Sequence, residues 1–172
     1  MEDKVLLYAG RISKEKGVME LPVIYHEAKR QIKNLKLVVA GTGPAEAELK
    51  KAIPDAVYLG WVNHDELPNI YSSADLLILP SRFDTFSVVV LESLSCGLPV
   101  IAYKTKGPKD IIEHNKNGYV VDTSNEMTTT IVSYFSKAGL QKTFSASAVK
   151  RSRFYSIDKI MDAFLNSSGL KN

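Results

Sequence analysis

The length, composition and charge of this chain are those of one ordinary folded domain. Its 172 residues are 45% hydrophobic and 24% charged, which excludes disordered, collagenous and low-complexity proteins. The 22 Lys and Arg residues outnumber the 19 Asp and Glu residues by only three, too few for a dedicated nucleic-acid binder. The single cysteine, Cys96, excludes an internal disulfide and a multi-cysteine zinc site, and it fits a reducing compartment.

The chain has no apolar stretch long enough to cross a bilayer. The longest, residues 87–103, is interrupted by Glu92, Gly97 and Pro99, whereas a membrane span needs about 20 apolar residues. The N-terminus carries no basic segment followed by a cleavage site. We therefore expect a cytoplasmic location, and the abrupt start of the first apolar run at Val5 leads us to expect a piece of a longer protein.

Six short apolar runs rich in Val, Leu and Ile predict strands. They lie at residues 5–9, 35–40, 56–59, 75–79, 99–102 and 119–121. Their nearly continuous hydrophobicity is typical of parallel strands that are covered on both faces. We therefore predict a parallel sheet of about six strands with helices on both faces.

Segments with helical spacing alternate with these runs. They cover residues 18–32, 44–52, 65–73 and 88–96, and a helical C-terminal tail follows at 126–138, 140–150 and 157–165. Such alternation indicates right-handed βαβ units in an α/β, Rossmann-like domain, whose ligands bind at the carboxyl ends of the strands. Because no linker interrupts the pattern, we predict a single domain over residues 1–172.

The first predicted strand ends in a loop that carries two cations, Arg11 and Lys16. A loop between a strand end and a helix start can bind an anion, because arginine grips phosphate oxygens in pairs and lysine adds a point charge. Two solvated surface cations would have the same spacing. The loop lacks the Gly-Lys-Ser/Thr sequence of a P-loop.

The second predicted strand runs into Gly41-Thr42-Gly43-Pro44. The third glycine of the dinucleotide fingerprint is absent, which argues against an NAD site. The glycines either let a ligand approach the backbone closely or build a tight turn.

Two carboxylates follow the fourth predicted strand, Asp84 in the loop and Glu92 inside the next helix. Glu92 lies among Val and Leu neighbours, where a carboxylate needs a partner. The paired hydroxyls of a ribose would satisfy both of its oxygens, and the helix start at Phe86, Ser87 and Val88 offers free amides to a phosphate or sugar. A salt bridge to Glu92 is the alternative.

Together these motifs form the pattern of a known enzyme family. In chain order they are Gly10-Arg11 with Lys16-Gly17, Gly41 to Pro44, Leu59 to Val62, Leu67 to Asp75, Pro80-Ser81 and Glu92 to Val100. From about Leu6 to Val121 the chain resembles the retaining family 4 glycosyltransferases of GT-B fold. GT-B enzymes have two Rossmann-like domains, and the resemblance is to the C-terminal, nucleotide-sugar-binding half.

The resemblance implies a role for each motif residue. Arg11 and Lys16 would hold the donor diphosphate and neutralise the leaving nucleotide, and Glu92 would bind the ribose hydroxyls. Backbone near Val62 and the side chain of Leu67 would frame the base. The remaining substrate-binding positions are Gly10, Gly41, Phe86, Ser87 and Val88. Since fixed cations stabilise the charge that develops on the diphosphate, no cofactor or metal is implied, and the donor would be a UDP-sugar or GDP-sugar.

Three residues depart from the family pattern. Asp84 stands where the family usually has the first Glu of a paired-Glu motif that contacts the transferred sugar, so the identity of that sugar is open. Ser87 and Lys106 stand where glycine is common. The Ser87 amide still serves if its torsions suit a β-carbon. We expect Lys106 to be exposed, with phosphate binding as the alternative.

Other polar and aromatic residues are assigned no chemistry. The three histidines lack the spacing of metal ligands, and Trp61 is expected to pack. The basic run Lys150, Arg151 and Arg153 is expected to be a solvated helix end, with contact to anionic lipid in the complete enzyme as the alternative.

The predicted function is that of a glycosyltransferase donor domain. It would bind a nucleoside-diphosphate hexose for retaining transfer to an acceptor glycan or glycolipid held by a second domain, and alone it would bind without turnover. The full-length enzyme would be cytoplasmic, with peripheral attachment to the inner face of the membrane left open. Two alternatives remain: a non-catalytic nucleotide-sugar-binding module and a GT-B-type nucleotide-sugar epimerase.

Overall fold

The computed structural model describes residues 3–156 and residue 159. Strands and helices alternate along this part of the chain. The strands are β1 (Lys4–Ala9), β2 (Leu35–Ala40), β3 (Val57–Gly60), β4 (Leu76–Leu79), β5 (Val100–Tyr103) and β6 (Gly118–Val121). The helices are α1 (Leu21–Gln31), α2 (Glu46–Ala52), α3 (Leu67–Ser72), α4 (Val88–Ser95), α5 (Lys106–Ile111), α6 (Ser124–Ser136) and α7 (Leu140–Ser152). Short 3-10 helices cover Lys14–Lys16, Val18–Glu20, His64–Glu66 and Arg153–Tyr155.

The six strands form one parallel sheet in the order β3-β2-β1-β4-β5-β6. This confirms the predicted α/β, Rossmann-like fold, and each strand begins and ends within one residue of its predicted bounds. The strand order reverses between β1 and β4, which opens a crevice at the carboxyl ends of these two strands. The candidate site residues follow these strand ends.

The core is divided by the sheet into two layers, because successive strand residues point to opposite faces. Leu6 and Tyr8 of β1 pack in one apolar cluster with residues of α1, α2 and α6. Leu7 and Ala9 pack in the other with residues of α3, α4 and α5. Helices therefore cover both faces of the sheet, as predicted.

The structure differs from the sequence prediction mainly in the second half of the chain. Helix α5 was not predicted, because Gly107 and Pro108 inside it are residues typical of turns. Helices α6 and α7 of the C-terminal tail are confirmed, and the predicted helix at 157–165 falls outside the described residues. No helix in the described part of the chain is long and apolar enough to cross a membrane.

The basic run at the end of α7 is only partly solvated, contrary to expectation. Arg151 donates from Nε to the carbonyl of Ile111 at 2.9 Å and from Nη2 to that of Asp110 at 2.8 Å. Its side chain is 22% exposed. Arg151 therefore ties α7 to the end of α5.

Candidate functional site

The loops after β1 and β2 are joined side by side at the carboxyl edge of the sheet. Gly10 donates to the carbonyl of Ala40, and Ile12 to that of Thr42, both at 2.9 Å. Gly41 has a φ of +133°, and a Cβ there would stand 2.0 Å from the Gly10 carbonyl oxygen. Close packing between the two loops therefore requires glycine at position 41.

Arg11 is held in place through its backbone. The hydroxyl of the buried Tyr8 donates to the Arg11 carbonyl at 2.8 Å, and burial raises the pKa of Tyr8. The Arg11 side chain is exposed and forms no ion pair with any residue that the structure describes. Its guanidinium group is available to an anion.

A first cavity, called here the apolar cavity, opens between these loops and α4. Its volume is about 530 Å³. Six predicted site residues line it, together with Trp61 and Tyr71, which sequence reasoning missed. The six are Gly10, Arg11, Gly41, Val62, Leu67 and Glu92. The family resemblance assigns all six to the binding of one donor, and the fold places them around one cavity.

Glu92 is the carboxylate of the apolar cavity, and its side chain is 25% exposed. Its Oε2 accepts a hydrogen bond from the hydroxyl of Tyr71 at 2.9 Å. Burial, and then the hydrogen bond to Glu92, raise the pKa of Tyr71, so this hydroxyl stays protonated. Among the described residues, the salt-bridge alternative is represented by His64 alone, whose side chain is exposed and whose Nδ1 lies 3.9 Å from Glu92 Oε1.

A second cavity, called here the basic cavity, lies beside β4 and β5 and measures about 480 Å³. Four cations and one carboxylate line it. They are Lys16, Arg82, Lys104, Lys106 and Asp84. Arg11 and Lys16, paired in the sequence prediction, therefore line two different cavities. Lys106 is exposed, as expected, and at the same time lines this cavity.

Asp84 organises the loop between β4 and α4. Its Oδ1 accepts from the amide of Ser87 at 3.0 Å, and its carbonyl accepts from the amide of Gly107 at 3.1 Å. The expectation of a free Ser87 amide is thus wrong, since Asp84 already occupies it. Phe86 and Val88 are 57% and 56% exposed, and neither they nor Ser87 line either cavity.

The charge of Arg82 is balanced within the protein. Its Nε and Nη2 donate to the two carboxylate oxygens of Glu20 at 3.0 and 3.3 Å, and this bond raises the pKa of Arg82. The guanidinium carbon lies 4.4 Å from the ring centre of Tyr103, whose hydroxyl also donates to Glu20. By contrast, Lys16, Lys104 and Lys106 form no ion pair within the described residues.

Three buried hydroxyls at this edge of the sheet have no hydrogen-bond partner within the described part of the chain. They belong to Ser13, Ser87 and Thr105, which follow β1, β4 and β5. Buried polar groups in native proteins nearly always have a partner. These hydroxyls indicate that the carboxyl edge has unused hydrogen-bonding capacity.

Trp61 and Tyr71 are the main additions to the predicted site. Trp61 was expected to pack, but it is 78% exposed and lines the apolar cavity. This exposure cannot be read from the sequence. In the described residues, no group of three His, Cys, Asp or Glu side chains is placed to hold a metal ion.

Comparison with known proteins assigns a family. The model of the glycosyl transferases group 1 family matches residues 1–150. A GDP-mannose-dependent alpha-mannosyltransferase of Corynebacterium glutamicum is 33% identical over 119 residues, which are 69% of this chain and 28% of that protein. An alpha-D-kanosaminyltransferase of Streptomyces kanamyceticus is 34% identical over 123 residues, 68% of this chain and 32% of that protein. The chain therefore spans less than a third of the length of each of these two curated relatives.

Solved structures share the fold. HepE from Anabaena, solved in complex with UDP-glucose, has a TM-score of 0.84 at 22% identity, over 97% of this chain and 49% of that chain. The C-terminal domain of the group 1 glycosyl transferase LpcC from Francisella tularensis has a TM-score of 0.81 at 21% identity, over 90% of this chain and 87% of that chain. With its Rossmann-like sheet and the family match over residues 1–150, this chain belongs to the glycosyl transferases group 1 family.

Proposed function

We propose that this chain is the C-terminal, donor-binding domain of a retaining family 4 glycosyltransferase. It binds a nucleoside-diphosphate sugar, and the hexose passes to an acceptor glycan or glycolipid held by the rest of the protein. The share of the relatives that the chain spans supports this assignment, as does its likeness to an isolated C-terminal domain of a group 1 protein.

One observation carries the proposal: Arg11 and Glu92 line the same cavity as Trp61 and Leu67. A nucleotide presents a flat apolar base, a pair of ribose hydroxyls and an anionic phosphate. Trp61 and Leu67 offer apolar surface to the base, Glu92 accepts hydrogen bonds from the hydroxyls, and Arg11 binds phosphate oxygens. The cavity therefore carries one complementary group for each part of a nucleotide.

Glu92 is prepared for this role by Tyr71. The tyrosine hydroxyl holds Oε2, so the carboxylate does not have to be ordered when the ribose binds. An ionised carboxylate has about four acceptor sites. Enough of them remain for both ribose hydroxyls.

The diphosphate spans the two cavities. Arg11 lines the apolar cavity and Lys16 the basic cavity, so a diphosphate held by both places the transferred sugar beside Asp84. Ser87 fixes Oδ1 of Asp84, which leaves Oδ2 to accept from a sugar hydroxyl. As the glycosidic bond breaks, negative charge grows on the diphosphate, and the two fixed cations stabilise it. The reaction then needs no metal.

Calorimetric titration with UDP and GDP tests the proposal. We expect one nucleotide to bind without magnesium, and Glu92→Ala to weaken it by about 1.5–3 kcal/mol, the range for hydrogen bonds to charged groups. Glu92→Gln, which keeps an acceptor for the Tyr71 hydroxyl, should lose less binding free energy than Glu92→Ala.

Tyr71→Phe is the matched control, because it removes the same internal hydrogen bond and keeps the carboxylate. It should bind the nucleotide more tightly than Glu92→Ala does. Unchanged affinity in Glu92→Ala, or an equal loss in Tyr71→Phe, would contradict a direct contact between Glu92 and the ribose.

A further inference from the structure

We propose that the basic cavity selects a donor whose transferred sugar carries a carboxylate, and that Lys104 and Lys106 bind that carboxylate. The inference rests on the proposed function, since it takes the sugar to lie beside Asp84. A hexose that carries a carboxylate is a hexuronic acid, and this is the proposed class of the transferred sugar.

The local charge of the basic cavity favours an anionic sugar. The diphosphate of a nucleotide sugar carries two negative charges, which Arg11 and Lys16 match. Arg82 is already neutralised by Glu20. Lys104 and Lys106 then face Asp84 alone, and one positive charge remains in the basic cavity. Glu92, the carboxylate of the apolar cavity, does not line the basic cavity. A neutral hexose therefore brings no anion to this charge, whereas a single carboxylate matches it.

Backbone contacts hold the two lysines beside Asp84. The Lys104 amide donates to the Val121 carbonyl at 2.9 Å, and the Gly107 amide donates to the Asp84 carbonyl at 3.1 Å. A Cβ on Gly107 would stand 2.9 Å from the Ser87 nitrogen, so the lysine segment packs tightly on the Asp84 loop. These contacts fix the backbone of the lysine segment against β6 and against the Asp84 loop.

The lysines themselves are free to bind an anion. Both are exposed, line the cavity and form no ion pair within the described part of the chain. Two like charges that line one cavity repel each other, and an anion bound between them removes this repulsion. Lys109, one turn further along α5, is also exposed and does not line the cavity. It provides a matched control.

The test is calorimetry at low ionic strength with matched pairs of donors. UDP-glucuronic acid is compared with UDP-glucose, and GDP-mannuronic acid with GDP-mannose, each beside UDP or GDP alone. We expect the uronic donor of the correct base to bind about tenfold more tightly than its neutral partner, the scale of one charge-assisted hydrogen bond. Added salt should reduce the preference.

The double variant Lys104→Gln/Lys106→Gln should lose the preference while binding of the nucleotide alone stays unchanged, and Lys109→Gln should keep it. Thermal unfolding of each variant checks that the fold persists.

Three results would overturn the inference. Equal binding of the two sugars by the unaltered chain would show that the cavity does not select a carboxylate. If the double variant lost as much affinity for UDP or GDP alone as for the sugar donor, the lysines would bind the diphosphate rather than the sugar. Both of these leave the proposed function intact. A chain that binds neither UDP nor GDP would overturn the proposed function together with the inference.

Discussion

The two edges of the sheet differ in how their polar groups are satisfied. At the amino edge, the carboxylate of Asp75 accepts from the Val5 amide at 2.7 Å and also from Gln141. Its carbonyl accepts from the Tyr134 hydroxyl at 3.1 Å. Asp55, which precedes β3, is likewise bound by Lys29. These contacts join strands to helices.

The carboxyl edge has the opposite character. Arg11, Lys16, Lys104 and Lys106 form no ion pairs within the described residues. Three of the four buried side-chain atoms without a partner in that part of the chain are the hydroxyls of this edge, and the fourth is Nδ2 of Asn117 before β6. The amino edge uses these polar groups to hold the fold, whereas the carboxyl edge leaves these four cations and three hydroxyls available to a ligand.

The largest effect should come from Arg11→Ala. We expect it to weaken nucleotide binding by about 2–3 kcal/mol, since a charge-assisted hydrogen bond to phosphate is lost. The melting temperature should not change, because the side chain has no ion-pair partner in the described part of the chain. Calorimetry and thermal unfolding measure the two quantities.

Lys14→Ala is the control for Arg11→Ala. Lys14 lies on the same loop, is 71% exposed and pairs with Glu48 at 3.0 Å, so its loss should leave nucleotide affinity unchanged. Equal losses in the two variants would mean that the loop acts only through its overall charge.

A smaller effect is expected for Trp61→Ala. Contact between the indole and the base contributes about 1 kcal/mol, so affinity should fall about fivefold with no change in stability. Phe154, 56% exposed near the end of α7, supplies the control Phe154→Ala, which should bind normally. An affinity that is insensitive to Trp61 would place the base elsewhere in the cavity.

The smallest effect is expected at the amino edge, where Asp55→Asn should lower the stability of the fold and leave nucleotide affinity unchanged. The hydrogen bond from Lys29 lowers the pKa of Asp55 below its usual value of 3.8. The stabilisation is therefore present at neutral pH and is lost as pH falls through the folded-state pKa, below about 4. Because the Asp55 side chain is 44% exposed, solvent screening limits the effect at pH 7 to at most about 1 kcal/mol.

Thermal unfolding from pH 7 to pH 2.5 measures this effect. The melting temperatures of the unaltered chain and of Asp55→Asn should differ at pH 7 and converge at the acid end. Nucleotide affinity at pH 7 should be the same in both. A stability difference that persists in acid would show that the carboxylate charge is not its source.

The sequence predicts the fold well because its signals are local. Each strand is one apolar run between turn residues. Arg11 could be identified because it comes just after a strand, and Glu92 because it lies inside a helix. In contrast, α5 escaped prediction because Gly107 and Pro108 are turn residues, and the exposure of Trp61 depends on loops from several strands.

Long-range geometry accounts for the other differences. Tyr71 reaches Glu92 across 21 positions of the chain, and no local pattern marks that contact. The placement of Arg11 and Lys16 in two cavities follows from the turn between them, which is not encoded in their spacing.

A crystal structure of this chain with the nucleotide that calorimetry selects tests the central claim most directly. The expected result is a ribose whose hydroxyls lie within hydrogen-bond distance of Glu92, with the diphosphate between Arg11 and Lys16. A nucleotide bound outside the apolar cavity, or one whose ribose makes no contact with Glu92, would contradict the assignment of this edge to the donor.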